Sequence, residues 1–143
     1  MEKNVFDGIQ KVQLKLHLEV LKECEKQFNT KFRKYFVFQI IVKEEDIISC
    51  SKIRSISDKM GVMPDQRQLI KVVVVAPKLG NFMLPILKIT YTRTKLYPCK
   101  FYNALKNKTK RCRNSEKLDK RLNKLFASNS FRKPIKMLMA QME

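Results

Sequence analysis

An α+β domain is the fold class this sequence predicts: an antiparallel sheet of about four strands with a C-terminal amphipathic helix packed on it. Three observations predict it. Residues 69–76 read Leu-Ile-Lys-Val-Val-Val-Val-Ala, and four consecutive valines fit a pleated strand but lose rotamer freedom in a helix. Residues 35–42 and 86–97 are two further runs rich in β-branched and aromatic residues. Leu118, Leu122, Leu125 and Phe126 then recur at the i, i+4, i+7 and i+8 positions of an amphipathic helix. The boundaries that follow are one α+β domain over residues 1–130, with an exposed basic loop at 103–114, and a short amphipathic helix or tail at 131–143.

Taken in order, Val12, Leu14, Leu16, Leu18 and Val20 alternate strictly with polar residues. That period predicts a half-buried strand over 11–21, with a turn or short helix over 22–30, although Leu, Lys, Glu and Gln themselves favour helix. The only histidine, His17, falls on the polar side of this alternation and reads as a surface residue, with no nucleophile or carboxylate placed to make it a catalytic base. The second strand, over 34–43, runs into the acidic cluster Glu44, Glu45 and Asp46, which reads as a solvated turn or helix start rather than a metal site. Ile47, Ile48, Ile53 and Ile56 with Gly61 predict a short helix over 46–59, and Pro64-Asp65 a turn into the valine strand at 68–76.

Along 85–97, alternation places Ile89, Tyr91, Arg93, Lys95 and Tyr97 on one face, and Lys88, Thr90, Thr92, Thr94 and Leu96 on the other. A tyrosine, arginine and lysine face can stack bases and hold phosphates. The competing reading is a tyrosine pair packed on the core edge, with basic ends reaching out to water. The stretch 106–113 is the densest basic run, with five cations in eight residues and Cys112 its one apolar member. With so little to bury, it reads as an exposed loop of the kind that serves as a nuclear-import signal or a nucleic-acid arm. Asn114 or Ser115 caps the helix that follows, Asn129 stops it, and Pro134 opens a last short helix bearing Ile135, Leu138, Met139 and Met142.

Charge decides the class of partner. The 143 residues carry a formal net charge of +18. Residues 1–65 hold 12 basic and 10 acidic residues, whereas residues 66–143 hold 19 basic and 3 acidic. From Gln66 to Ser115 there are twelve Lys or Arg and no Asp or Glu. A half-chain so one-sided repels itself unless a polyanion or an acidic partner neutralises it. Lysines outnumber arginines 23 to 8, which favours contact with phosphates over reading of base edges. The candidate nucleic-acid-binding residues are therefore Lys88, Tyr91, Arg93, Lys95, Tyr97, Lys100, Lys106, Lys108, Lys110, Arg111 and Arg113. Lys117, Lys120, Arg121, Lys124, Arg132 and Lys133 extend the set along the helical end.

Other classes lose ground on the same residues. Three glycines and no Gly-rich phosphate loop exclude the common nucleotide-binding motifs. Four cysteines with no C-x-x-C pair, and one histidine, give no zinc pattern, so neither metal nor cofactor is expected. Dispersed cysteines fit a reduced intracellular setting, nuclear or cytoplasmic, and no apolar run approaches the ~20 residues of a membrane span. The sequence thus points to a non-catalytic, basic nucleic-acid-binding protein that holds RNA or DNA by its phosphates with little sequence preference. A ribonucleoprotein subunit and a packaging or chromatin-type protein, cellular or viral, fit equally. The alternative is a structural or adaptor subunit whose basic half docks an acidic protein, or whose methionine-rich C-terminal helix takes a partner or a second copy.

Overall fold

The computed structural model describes residues 16–46 and 66–142. In chain order these form α1 (His17–Phe32), β1 (Val37–Asp46), β2 (Gln66–Ala76), a 3-10 turn (Pro77–Leu79), β3 (Phe82–Thr92), β4 (Cys99–Asn103), β5 (Lys108–Cys112), α2 (Ser115–Ala127) and α3 (Asn129–Met142). The five strands make one antiparallel meander whose spatial order follows the chain, β1-β2-β3-β4-β5. The helix predicted over 46–59 lies outside the described residues except for Asp46, which ends β1.

β2 is the valine run. Ile70, Val72, Val74 and Ala76 join the core beneath the helices, while Leu69, Val73 and Val75 are buried on the opposite side of the sheet. Cover on both faces is what an uninterrupted apolar strand requires. A register shift at Val72/Val73 leaves Ile86 as an extra residue next to Pro85, and a bulge accommodates a proline that cannot donate to the ladder. The β2–β3 connection needs left-handed backbone at Gly80 (φ 66°) and Asn81 (φ 58°), which glycine adopts without steric cost and asparagine tolerates.

The strand predicted over 11–21 is corrected by the structure: residues 11–15 lie outside the description, and His17–Phe32 is a helix. The alternation ends at Val20. Beyond it, Leu21, Cys24, Phe28 and Phe32 continue a helical stripe, of which Val20, Leu21 and Phe28 are buried. The good helix formers Leu, Lys, Glu and Gln prevail over a short period-two pattern. The helix turns back at residues 33–35, where the Tyr35 and Phe36 N–H groups donate to the Phe32 carbonyl.

The third strand also ends sooner than its alternation suggests. β3 stops at Thr92, where the Thr92 and Lys95 backbones exchange hydrogen bonds across a tight turn. Arg93 and Lys95 therefore do not continue the strand face of Ile89 and Tyr91, and Tyr97 returns to the core only beyond the turn. The acidic cluster belongs to β1 and is not a turn: Glu44 lies opposite Gln68 and Glu45 opposite Arg67.

α2 follows its sequence reading closely. The Asn114 side chain accepts the Lys117 N–H at 2.9 Å, and Leu118, Leu122 and Leu125 are buried. Each such leucine contributes about 1.5–3 kcal/mol of burial. α3 begins earlier than predicted, at Asn129, with the Phe131 and Arg132 N–H groups on the Ser128 carbonyl. Pro134 thus sits one turn inside this helix, where it removes one rung of the ladder and does not open it. α3 buries Phe131 and Ile135 in the same core as the sheet, and Phe131 meets Phe126 edge-on at 5.0 Å. Among the described residues no helix is long and apolar enough to cross a membrane.

Candidate nucleic-acid interface

The predicted basic loop is folded. Its first residues end β4, residues 104–107 turn, and residues 108–112 form β5, the edge strand of the sheet. Two asparagines build the turn. Asn103 Oδ1 accepts the N–H groups of Leu105 (3.0 Å) and Lys106 (3.2 Å), and Asn107 takes the left-handed conformation with φ 53°. Tyr102 Oη donates to Asn107 Oδ1 at 2.7 Å, which ties the strand to its own turn. At the far end Cys112 lies directly opposite Cys99, and both are buried. The Cys99 thiol is hydrogen-bonded to Cys112; that bond and burial hold its pKa above the ordinary value, while the same bond lowers the Cys112 pKa. The hairpin is therefore ordered by its backbone ladder, its asparagines and one buried cysteine pair, and its cations need no burial.

Strand geometry then divides those cations between two surfaces. On the face away from the helices, the register sets Lys71, Lys88, Tyr102 and Thr109 in one row, and Leu69, Thr90, Lys100 and Arg111 in the next. Arg67 and Thr92 form the row beyond. Lys88 Nζ lies 5.8 Å from the centre of the Tyr102 ring. At the end of this face, a cleft of about 320 Å³ is lined by Arg67, Tyr91, Lys95, Lys100 and Arg111, with no acid among its described lining residues. On the other face, Lys108 and Lys110 lie across a second cleft, of about 230 Å³, from Arg121 and Lys124 of α2. Lys106 and Phe101 also line it, and no acid does so among the described residues.

The two tyrosines singled out by the sequence pack toward the core, although Tyr91 also borders the first cleft. His17, expected at the surface, is only 1% exposed and donates from Nε2 to the Leu96 carbonyl at 2.9 Å. Its ring stacks on Tyr91 at 4.1 Å and lies against Tyr97 at 4.6 Å. Burial lowers the His17 pKa and raises that of Tyr91; burial, followed by nearby thiols and carboxylates, pushes Tyr97 up to about 12. Both tyrosines pack against the core, in keeping with the competing reading of this pair.

The remaining candidates are dispersed. Arg93 pairs with Glu44, which also accepts from Gln68. Arg113 is exposed just past β5, and Lys117 and Lys120 are exposed on α2. Arg132 and Lys133 lie on α3, and Arg132 lines a different groove, between the helices. Sequence reasoning missed Arg67, Lys71 and Tyr102. The signal for the first two was available, since alternation along β2 puts residues 67, 69 and 71 on one face.

Comparison with protein-family models, with curated protein sequences and with solved structures finds no match to this chain.

Proposed function

We propose that this chain is a non-catalytic nucleic-acid-binding protein that grips phosphates on both sides of the β4–β5 hairpin. The observation that carries the reading is the pair of basic clefts, with no acid among the described residues that line them, one lined by Arg67, Lys95, Lys100 and Arg111, the other by Lys106, Lys108, Lys110, Arg121 and Lys124. Clustered cations without interleaved acids focus a positive field, and each phosphate they neutralise releases condensed counterions. Most of these residues are lysines, which suits backbone contact without base reading. Tyr102, half-buried among cations on the sheet face, offers one ring edge or face to an unpaired base. The working identity is a ribonucleoprotein subunit or a packaging protein acting inside the cell, and the exposed cations of residues 106–113 double as an import signal if it acts in the nucleus.

Separate neutralisation of the two clefts tests this. Alanine at Lys95, Lys100 and Arg111, and independently at Lys108, Lys110 and Lys124, should each weaken binding of a mixed-sequence oligonucleotide with the melting temperature nearly unchanged. If both triple variants bind as the parent does, the hairpin is not the interface.

A further inference from the structure

α1, α2 and α3 leave between them a groove of about 590 Å³ that takes no part in the basic clefts. Its two walls repeat one pattern. α1 supplies Cys24, Phe28 and Phe32, and α3 supplies Phe131, Ile135 and Met139, each set at i, i+4 and i+8. Phe126 of α2 lies between them. Eight residues of helix rise about 12 Å, so each wall is roughly two turns long. Phe32, Phe126 and Met139 remain half-exposed, although each packs against the core. The rim is basic: Lys31 stands on the α1 wall with its Nζ 5.6 Å from the Phe32 ring centre, and Arg132 and Lys136 stand one turn apart on the α3 wall. Among the described residues no acid lines the groove.

We infer that this groove receives an acidic amphipathic helix of a partner protein, about two turns of apolar anchors flanked by Glu or Asp. The length matches apolar residues at i, i+4 and i+7 of a docked helix, which span about 10 Å. Cations on both walls, spaced along the groove, complement acids on both flanks of such a stripe. A long-chain carboxylate carries a single charge at one end and leaves the spread of cations unmatched. A second copy of this chain fits worse, because at +18 it would set like charges together. Met139 supplies a side chain that adapts to differing anchors.

The chain contains no tryptophan, so a single-Trp probe peptide can be followed without background. The probe is an amphipathic peptide with Leu and Trp at i, i+4 and i+7 and Glu on both flanks. A scrambled peptide of equal composition and a Lys-flanked version serve as comparators, and sodium palmitate is the competitor. The expected result is saturable one-to-one binding with a blue-shifted emission, at least about tenfold tighter than the scrambled peptide. The double variant R132E/K136E should lose about tenfold for the Glu-flanked probe and gain for the Lys-flanked one. If that variant fails to melt cooperatively, Lys31→Glu on the opposite wall carries the same test. Equal affinity for probe and scrambled peptide overturns the inference, since net charge then accounts for binding. So do unchanged affinity in the charge-reversed variants and one-to-one palmitate binding without probe binding.

Discussion

Along β2 every residue from Gln68 to Ala76 except Lys71 is buried, whereas along β5 only Cys112 is. Both are strands of one sheet, held by different means. β2 is fixed by its own side chains, which are buried on both faces and would find no equal environment elsewhere. β5 is fixed by what surrounds it: the ladder to β4, the Asn103 and Asn107 turn, and the Cys99–Cys112 contact. The consequence is functional. A strand whose side chains do not hold it in place can spend them on a ligand, and the lysines of an exposed edge also discourage pairing with other chains.

The largest expected difference between the two strands is in stability. Ile70→Ala removes a fully buried side chain beneath the helices and should cost about 2–5 kcal/mol in chemical denaturation. Lys110→Ala on β5 should stay within about 0.5 kcal/mol of the parent. Comparable losses at both sites would erase the contrast.

A second expectation concerns pH at the α1 end of the core. His17 is neutral in the fold, and burial sets its pKa below the ordinary 6.5. The unfolded chain therefore binds the proton first. The contribution of His17 is complete above about pH 6.5 and is lost as pH falls toward the lowered folded value. The melting temperature should drop between pH 7 and 5, and His17→Phe should remove that part of the dependence. A parent and variant with identical pH profiles would show that the imidazole is not held neutral against Tyr91 and Tyr97.

A smaller effect separates the strands locally. Cys112→Ala takes the one buried anchor from β5 and should cost about 1 kcal/mol. It should also speed amide exchange along β4 and β5 while leaving β2 protected, as befits a hairpin of low local stability. Uniform acceleration across the sheet would mean that β5 is no separate unit.

The same contrast explains what the sequence discloses. β1 and β2 are legible because runs of β-branched and aromatic residues suit a strand, and α2 because Leu118, Leu122 and Leu125 sit at a helical period. β5 was illegible as a strand because its five neighbouring cations hide an alternation that only Cys112 anchors. α1 was misread because Val12 to Val20 alternate over a window too short to reveal the stripe continued by Cys24, Phe28 and Phe32. Without that helix the pattern puts His17 at the surface and leaves the tyrosines it covers open to either reading. Which residues carry the charge is plain from the sequence. Their division between two clefts depends on register, which composition does not specify.

The central claim is that β5 and its flanks are held in place by backbone and used by side chains. The measurement that tests it most directly is oligonucleotide affinity against salt concentration, for the parent and for a variant with Lys106, Lys108, Lys110, Arg111 and Arg113 replaced by alanine. The parent should show log affinity falling linearly with log salt, at about −0.7 per neutralised phosphate on a single strand and −0.9 on a duplex, with little dependence on sequence. The variant should bind far more weakly, with a shallower slope and a nearly unchanged melting temperature. A variant that binds as tightly as the parent, or a parent whose affinity ignores salt, would contradict the account.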